Sequence, residues 1–146
     1  MSDLSELYQQ IIIDHSREPH NFKALKEANY IREGFNPLCG DKVKLFVHLE
    51  NNHILDLGFQ GSGCAISTAA ASLMSDAVKG RTPAEVIEMF QEYQELVTTG
   101  KCKNQEKLGK LITLAGVSEY PMRVKCATLA WHTLKQLLAE VDENQR

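Results

Sequence analysis

The sequence lacks the features that mark several large classes of protein. Its apolar runs, such as Ile11–Ile13, stay far below the roughly 18 residues that cross a membrane, which argues against a membrane protein. The 16 Lys and Arg residues are outnumbered by 19 Asp and Glu residues, so no broad basic surface is available for nucleic acid. Residues 1–6 have neither the basic start nor the apolar segment of a secretory signal, and we therefore expect a cytoplasmic protein.

Cysteine is scarce, and its spacing excludes two common motifs. The four cysteines are Cys39, Cys64, Cys102 and Cys126. None of them forms a C-x-x-C pair, which excludes a zinc ribbon and a thioredoxin motif. In a cytosolic protein, two disulfides are less expected than free thiols, metal ligands or a reactive sulfur.

What the sequence does contain is typical of a globular protein. The chain has 146 residues, of which 43% are hydrophobic and 24% are charged. That length and composition suit a single domain over residues 1–146, with enough apolar side chains to build its own core.

Hydrophobic periodicity and turn residues predict a short series of strands followed by helices. Alternation predicts a hairpin, in which the strands Lys42–Glu50 and Leu55–Gln60 are joined by a turn at Asn51 and Asn52, with a further short strand near Tyr30–Arg32. Helices are predicted over Asp3–His15, Ala65–Lys79, Pro83–Val97 with Thr82 in a capping box, a short stretch near Leu108–Leu114, and Tyr120–Glu140. Because strands come early and helices late, we expect an α+β fold: a small antiparallel sheet of about three strands, packed on one side by helices.

Three of the cysteines occupy positions that suit chemistry. Cys39 precedes the first hairpin strand, where Gly40 lets the backbone approach a ligand closely and Asp41 follows two residues later. Cys64 lies where the second strand gives way to a helix, and Cys126 lies early in the last helix. The positive end of a helix dipole favours the thiolate form of such a residue.

The predicted hairpin brings these groups together. Its two ends place Cys39 near Cys64, and three thiolates with Asp41 would form a four-coordinate site suited to zinc or an iron–sulfur cluster. Arg123, three residues before Cys126, is predicted to share its helix face and to stabilise a thiolate. Each cysteine is also compatible with a simple role as a small buried hydrophobe. Cys102, between two lysines, is predicted to be an exposed thiol outside the site.

Four segments in order along the chain resemble the U-type iron–sulfur cluster assembly proteins, the family that contains IscU, SufU and the N-terminal domain of NifU. They are Asp14-His15 with Pro19-His20-Asn21, Asn36-Pro37-Leu38-Cys39-Gly40-Asp41, Gly61-Ser62-Gly63-Cys64-Ala65-Ile66-Ser67, and Arg123-Val124-Lys125-Cys126-Ala127-Thr128-Leu129. The resemblance covers residues 7–138. It implies a SufE/NifU-like fold and a role in iron–sulfur cluster assembly.

Within that family the sequence is more similar to the SufU branch. The segment between Cys64 and Cys126 is long, and Lys125 stands where scaffold members carry a histidine. This resemblance implies zinc bound by Cys39, Asp41, Cys64 and Cys126. It also implies a sulfurtransferase role, in which Cys39 accepts persulfide sulfur from a SufS-like, pyridoxal-phosphate-dependent cysteine desulfurase and activates that enzyme, with Arg123 at the reacting site. Downstream iron–sulfur assembly proteins would then receive the sulfur.

Two alternatives remain open from the sequence. In the first, the chain is a scaffold that assembles and transfers a [2Fe–2S] cluster on the same four residues. In the second, it is a non-catalytic module, stabilised by zinc, that acts on the desulfurase by contact alone. An aspartate ligand argues mildly against the second, because structural zinc sites prefer thiolate and imidazole ligands.

Overall fold

The structure, a computed structural model, describes residues 3–144. These residues form three strands, five α-helices and two 3₁₀ segments, both of which lie between the last two α-helices. In chain order they are α1 (Asp3–Arg17), β1 (Tyr30–Asn36), β2 (Asp41–Glu50), β3 (His53–Ser62), α2 (Ala65–Val78), α3 (Pro83–Thr99), α4 (Gln105–Leu108), the 3₁₀ segments Gly109–Glu119 and Pro121–Arg123, and α5 (Val124–Asn144). None of the helices within residues 3–144 is both long and apolar enough to span a bilayer.

The three strands form one antiparallel sheet in the order β1-β2-β3. The predicted turn between β2 and β3 is confirmed, since Asn51 and Asn52 both adopt the left-handed conformation, with φ of 54° and 62°. Asparagine tolerates that region better than most residues, which explains why this pair joins the strands. The first strand is longer than its sequence pattern indicated, because its pairing with β2 continues as far as Asn36 and Asp41.

One face of the sheet carries the core. Val43, Leu45, Val47 and Leu49 of β2 are all buried, whereas the opposite face carries the polar Lys42, Lys44, His48 and Glu50 with one buried residue, Phe46. Helices α2 and α5 lie against the sheet on the buried side. The predicted α+β fold with helices on one side is therefore confirmed.

The helical layer is centred on aromatic side chains of α3 and α5. Trp131 stacks against both Phe90 and Tyr93, with ring centroids 5.6 Å and 5.2 Å away. The buried Tyr93 hydroxyl donates a hydrogen bond to the carbonyl oxygen of Ala127, at 2.7 Å. The predicted capping box is present, since Thr82 and Glu85 bond each other's backbone at the start of α3. These contacts fix α5, and with it the position of Cys126.

The segment between α3 and α5 differs from its prediction. A short helix was expected near Leu108–Leu114, but the chain forms the one-turn α4 and then a 3₁₀ segment over Gly109–Glu119. Gly109, with φ of 54°, caps the end of α4 and begins the 3₁₀ segment. The last α-helix begins at Val124 rather than Tyr120, because Pro121–Arg123 forms a separate 3₁₀ turn.

Candidate thiol and carboxylate site

Three of the predicted site residues lie together at one end of the sheet. The ligand atoms of Cys39, Asp41 and Cys126 all lie within 4.8 Å of one another. The Cys126 thiol donates to the Cys39 sulfur, with the two Sγ atoms 3.3 Å apart. Within residues 3–144, this is the one group of three or more His, Cys, Asp or Glu side chains close enough to share a metal ion.

The β1–β2 connection explains how two of these residues meet. The ladder ends with Asn36 opposite Asp41, and the intervening residues form a tight turn. Gly40 has a φ of +72°, and a side chain there would be strained. Cys39 is consequently exposed at the tip of the turn, whereas Asp41 has no exposed surface.

Asp41 is the hydrogen-bonded centre of the site. Its Oδ1 accepts from the backbone N–H of Cys64 at 2.9 Å and from the Ser67 hydroxyl at 3.2 Å, and its Oδ2 accepts from the Asn36 amide at 3.2 Å. Burial alone raises the pKa of this carboxyl, but hydrogen bonds from Cys64, Cys126, Asn36 and Ser67 hold the pKa below its usual range. The site therefore contains a buried, ionised carboxylate.

Cys64 lies at the edge of the group. It is the N-cap of α2, and its sulfur accepts from the backbone N–H of Ser67 at 3.4 Å. Its thiol contacts Cys126 but lies outside the group whose ligand atoms are all within 4.8 Å of one another. Its backbone N–H nevertheless bonds Asp41, so the start of α2 is tied directly to the carboxylate.

Cys126 is buried, and Arg123 lies next to it. Burial raises the pKa of the Cys126 thiol, and hydrogen bonds with Cys39, Asp41 and Cys64 raise it further. The predicted shared helix face is wrong, since Arg123 precedes α5, but its side chain does hydrogen-bond Cys126. That bond, with the charges of Cys64, Cys126 and Cys39, raises the pKa of the exposed guanidinium.

Two residues that no sequence argument assigned a role help to build the site. Asn36 and Ser67 lie in the segments that resemble the U-type family, and both donate to Asp41. The signal for Ser67 was its place three residues after an N-cap, where a side chain turns back toward the helix start. The signal for Asn36 was its place before a proline turn, where asparagine side chains commonly bond the backbone.

Gly63 shows how tightly the carboxylate is held. A Cβ atom at this position would lie 2.5 Å from both Asp41 Oδ1 and Ser67 Oγ. Real Cβ contacts essentially never fall below 3.0 Å, so glycine is required if both side chains are to stay in place. Close packing on Asp41 thus explains Gly63, whereas a Cβ at Gly61 would overlap the Lys42 backbone carbonyl.

The prediction that Cys102 is an exposed thiol is wrong. Its side chain is half-buried and packs against the hydrophobic core. Burial raises the pKa of its thiol, and the charge of Glu92 raises it further. The flanking lysines indicated exposure, but the turn after α3 directs the cysteine inward. Cys102 lies outside the group formed by Cys39, Asp41 and Cys126.

Two histidines without a predicted role form a second polar network, between α1 and α2. The buried His15 bonds the Ser72 hydroxyl through Nδ1 at 2.7 Å, and that hydroxyl also accepts from the backbone N–H of His20. The His20 ring pairs with Asp76 at 2.6 Å. This network fastens the end of α1 to the middle of α2, and so stabilises the helix whose first residues bond Asp41.

The donor atoms suit a thiophilic metal ion. Zinc binds thiolate at about 2.3 Å, which places tetrahedral sulfur ligands about 3.8 Å apart. The 3.3 Å separation of Cys39 and Cys126 and the 4.8 Å limit on the whole group bracket that spacing. Sulfur ligands with one carboxylate suit zinc or iron better than magnesium or calcium, which prefer oxygen ligands.

Comparison with known proteins finds relatives that are named for iron–sulfur cluster assembly or sulfur transfer. The model of a family described as the NifU-like N-terminal domain matches residues 7–127. The protein of Streptococcus pyogenes serotype M1 named iron-sulfur cluster assembly scaffold protein IscU is 38% identical over 138 residues, covering 94% of this chain and 86% of that protein. The protein of Bacillus subtilis (strain 168) named zinc-dependent sulfurtransferase SufU is 34% identical over 139 residues, covering 95% and 94%.

A solved structure extends the similarity to the fold. It is the crystal structure of a putative iron-sulfur cluster assembly scaffold protein for the SUF system of Fervidobacterium islandicum AW-1. It superposes with a TM-score of 0.84 at 35% identity and covers 91% of this chain and 97% of that chain. Relatives bearing the scaffold name and the sulfurtransferase name both match along nearly the full length, so the preference for the SufU branch stays a prediction.

Proposed function

The chain belongs to the NifU-like N-terminal domain family of iron–sulfur cluster assembly proteins, and from that premise we propose that it is a zinc-bound sulfur acceptor for a cysteine desulfurase. Membership confirms the resemblance drawn from the four sequence segments. The observation that carries the finer proposal is the exposure of Cys39 beside two buried and anchored partners, Asp41 and Cys126.

The proposed ligands are Cys39, Asp41, Cys64 and Cys126. Zinc bound by these residues would act as a Lewis acid that keeps the thiols ionised near neutral pH. Three of the ligand atoms are already grouped, and Cys64 is held one hydrogen bond away through Asp41. A change of the Cys64 side-chain rotamer, at the expense of its bond to Ser67, would complete the set.

The reaction proposed for Cys39 is thiol–persulfide exchange. Its thiolate attacks the outer sulfur of the persulfide carried on the desulfurase cysteine. A sulfur–sulfur bond forms to Cys39, the bond to the desulfurase cysteine breaks, and that cysteine leaves as a thiolate. The exchange needs no oxidant or reductant, and Cys39 ends as the persulfide.

The surroundings of Cys39 support this role. It is on a turn at the surface, within reach of a second protein, whereas the buried Cys126 is fixed on α5. The exposed Arg123 lies near all three thiols, where its positive charge stabilises thiolate forms. A partner desulfurase that docks over this end of the sheet would meet Cys39 first, and downstream assembly proteins would use the same access.

A cluster scaffold is the second candidate, and one observation favours it. The 38%-identical relative from Streptococcus pyogenes bears the scaffold name. Three thiols and a carboxylate are also able to hold a [2Fe–2S] cluster, for which thiolates are the usual ligands. In that case Cys39 would be a cluster ligand and not a sulfur carrier.

Sulfur transfer from the desulfurase tests the two candidates directly. Zinc-loaded and zinc-stripped protein are incubated with a cysteine desulfurase and cysteine, and the persulfide is located by alkylation and mass spectrometry. We expect a persulfide on Cys39 in the zinc-loaded wild type and in Cys102→Ala, the matched cysteine control, but none in Cys39→Ala. If zinc instead blocks transfer, and stripped protein with iron and sulfide gives a transferable [2Fe–2S] spectrum, the chain is a scaffold.

A further inference from the structure

A single buried amide touches three separate parts of the site. Asn36 is 5% exposed and ends β1. Its Nδ2 donates to Asp41 Oδ2 at 3.2 Å and lies 3.8 Å from the sulfur of Cys126, to which it also donates. Its Oδ1 accepts from the backbone N–H of Leu38 at 3.3 Å, in the turn that carries Cys39.

We propose that Asn36 is a positioning residue that fixes Asp41, Cys126 and the Cys39 turn relative to one another. Asn36 holds residues that the proposed function assigns as zinc ligands. Its expected effect on sulfur transfer to Cys39 therefore rests on that proposed function. Asn36 itself is buried and does not reach a docked partner, so it acts through the residues that it holds.

The chemistry of a primary amide suits this task. Its NH₂ group has two hydrogens in one plane and no acceptor, so it is able to donate to a carboxylate and to a sulfur at the same time. As zinc ligands, both groups would be anionic, and a donor between them would offset their mutual repulsion. The carbonyl on the other side of the same plane is left for Leu38, so one rigid group serves three partners.

The other donors to Asp41 do not duplicate this arrangement. The backbone of Cys64 and the hydroxyl of Ser67 both bond Oδ1 and both belong to the start of α2. Among the nitrogen and hydroxyl donors to Asp41, Asn36 is the one that bonds Oδ2, and it also contacts α5. Removing it would leave Asp41 attached to α2 but without its amide link to Cys126 and the Cys39 turn.

Loss of such an outer partner of a metal ligand typically weakens metal binding by about 10- to 100-fold. We expect Asn36→Ala to weaken zinc affinity by that factor. We expect the rate of sulfur transfer to Cys39 to fall, while the KM for the desulfurase stays unchanged because no docking contact is lost. Asn36→Ser is the second variant: its hydroxyl is able to accept from Leu38 but is too short to reach both Asp41 and Cys126, so it should lose zinc affinity like alanine.

Asn29 offers a matched control at the opposite end of β1. Its side chain donates to the carbonyl of Leu49 at 2.7 Å and accepts from the N–H of Leu49 at 2.9 Å. It is remote from the thiols, so Asn29→Ala should lower thermal stability and leave zinc affinity unchanged.

The experiment measures zinc affinity of the full chain by competition with a chromophoric chelator, and the unfolding of each zinc-free variant by circular dichroism. Weakened affinity in both Asn36 variants, with wild-type affinity in Asn29→Ala, supports the proposal. Zinc affinity within twofold of wild type in either Asn36 variant overturns it, as does a loss of stability without loss of affinity. The affinity measurement needs no sulfur transfer, so it stands even if the wild-type chain accepts no persulfide and the proposed function fails.

Discussion

Replacing Gly63 by alanine should displace the carboxylate at the centre of the site. The new Cβ would lie 2.5 Å from Asp41 Oδ1 and from Ser67 Oγ, which is 0.5 Å inside the 3.0 Å limit of real contacts. The backbone at this position is open to alanine, since its φ is outside the left-handed region. The clash itself is therefore the cause of any effect, and the two oxygens must move apart to relieve it.

The loss of unfolding free energy in Gly63→Ala depends on the contacts that Asp41 Oδ1 and Ser67 Oγ make. Forcing an extra methyl group into a packed region costs about 1–3 kcal/mol. Movement of Asp41 also strains its bonds from the Cys64 N–H, at 2.9 Å, and the Ser67 hydroxyl, at 3.2 Å. Hydrogen bonds to a charged group contribute about 1.5–3 kcal/mol each. Partial loss of these bonds with the clash gives a destabilisation of about 3 kcal/mol, or a Tm lower by about 6–12 °C in a chain of this size.

Thermal unfolding of the zinc-free protein, followed by circular dichroism, measures this shift. Gly116→Ala is the matched control, because a Cβ there meets nothing within 4 Å. That change should leave the Tm unchanged or raise it slightly, since alanine restricts the unfolded chain. A Tm for Gly63→Ala within about 2 °C of wild type would refute the reasoning, because Asp41 would then have room that the structure does not give it.

Three further changes test the fold around the site. Gly34→Ala should lower the free energy of unfolding by about 1–3 kcal/mol, because its Cβ would overlap the Thr133 hydroxyl. Denaturant unfolding should show that adding Thr133→Ala recovers part of this loss. No recovery would contradict the packing of β1 on α5. Tyr93→Phe should cost about 1 kcal/mol in the same assay, through loss of the buried hydrogen bond to Ala127, and an unchanged midpoint argues against that bond. Burial, with the charge of His20, lowers the pKa of His15 below its ordinary value of 6.5, so the unfolded chain binds more protons and stability falls as the pH drops through 6.5. Urea unfolding from pH 7.5 to 5.5 should show that fall, and His15→Gln should flatten it; an equal slope in that variant assigns the pH dependence to other groups.

The parts of the fold that are local in sequence could be predicted. The alternation in β2, the Asn51–Asn52 turn and the capping box at Thr82 depend on residues a few positions apart, and all three are confirmed. The inward stripe of α5 could be predicted for the same reason, and Trp131 lies in the core. Each pattern has one physical cause, the period of the strand or helix or the geometry of a turn.

The residues that hold Asp41 could not be assigned in this way. The bond from Asn36 to Cys126 joins residues 90 positions apart, and the bond from Ser67 to Asp41 joins residues 26 apart. Neither follows from any local period, because it is created when α5 and α2 pack on the sheet. The inward turn of Cys102 likewise depends on the core beneath it, and the lysines beside it gave the opposite indication.

Asp41 links the elements that carry the thiols, and this has a consequence for exchange at the site. One of its oxygens bonds the start of α2, where Cys64 lies, and the other bonds Asn36, which holds the Cys39 turn. A group that binds Asp41 must share or displace one of these donors. Binding at Oδ1 would therefore disturb Cys64, and binding at Oδ2 would disturb the Cys39 turn through Asn36. Among the nitrogen and hydroxyl donors, Oδ2 has one and Oδ1 has two, so fewer of these bonds are lost when a group engages Oδ2. Binding at Asp41 should therefore loosen the Cys39 turn before it disturbs α2, which leaves Cys126 and Cys64 anchored while the exposed thiol gains freedom to react.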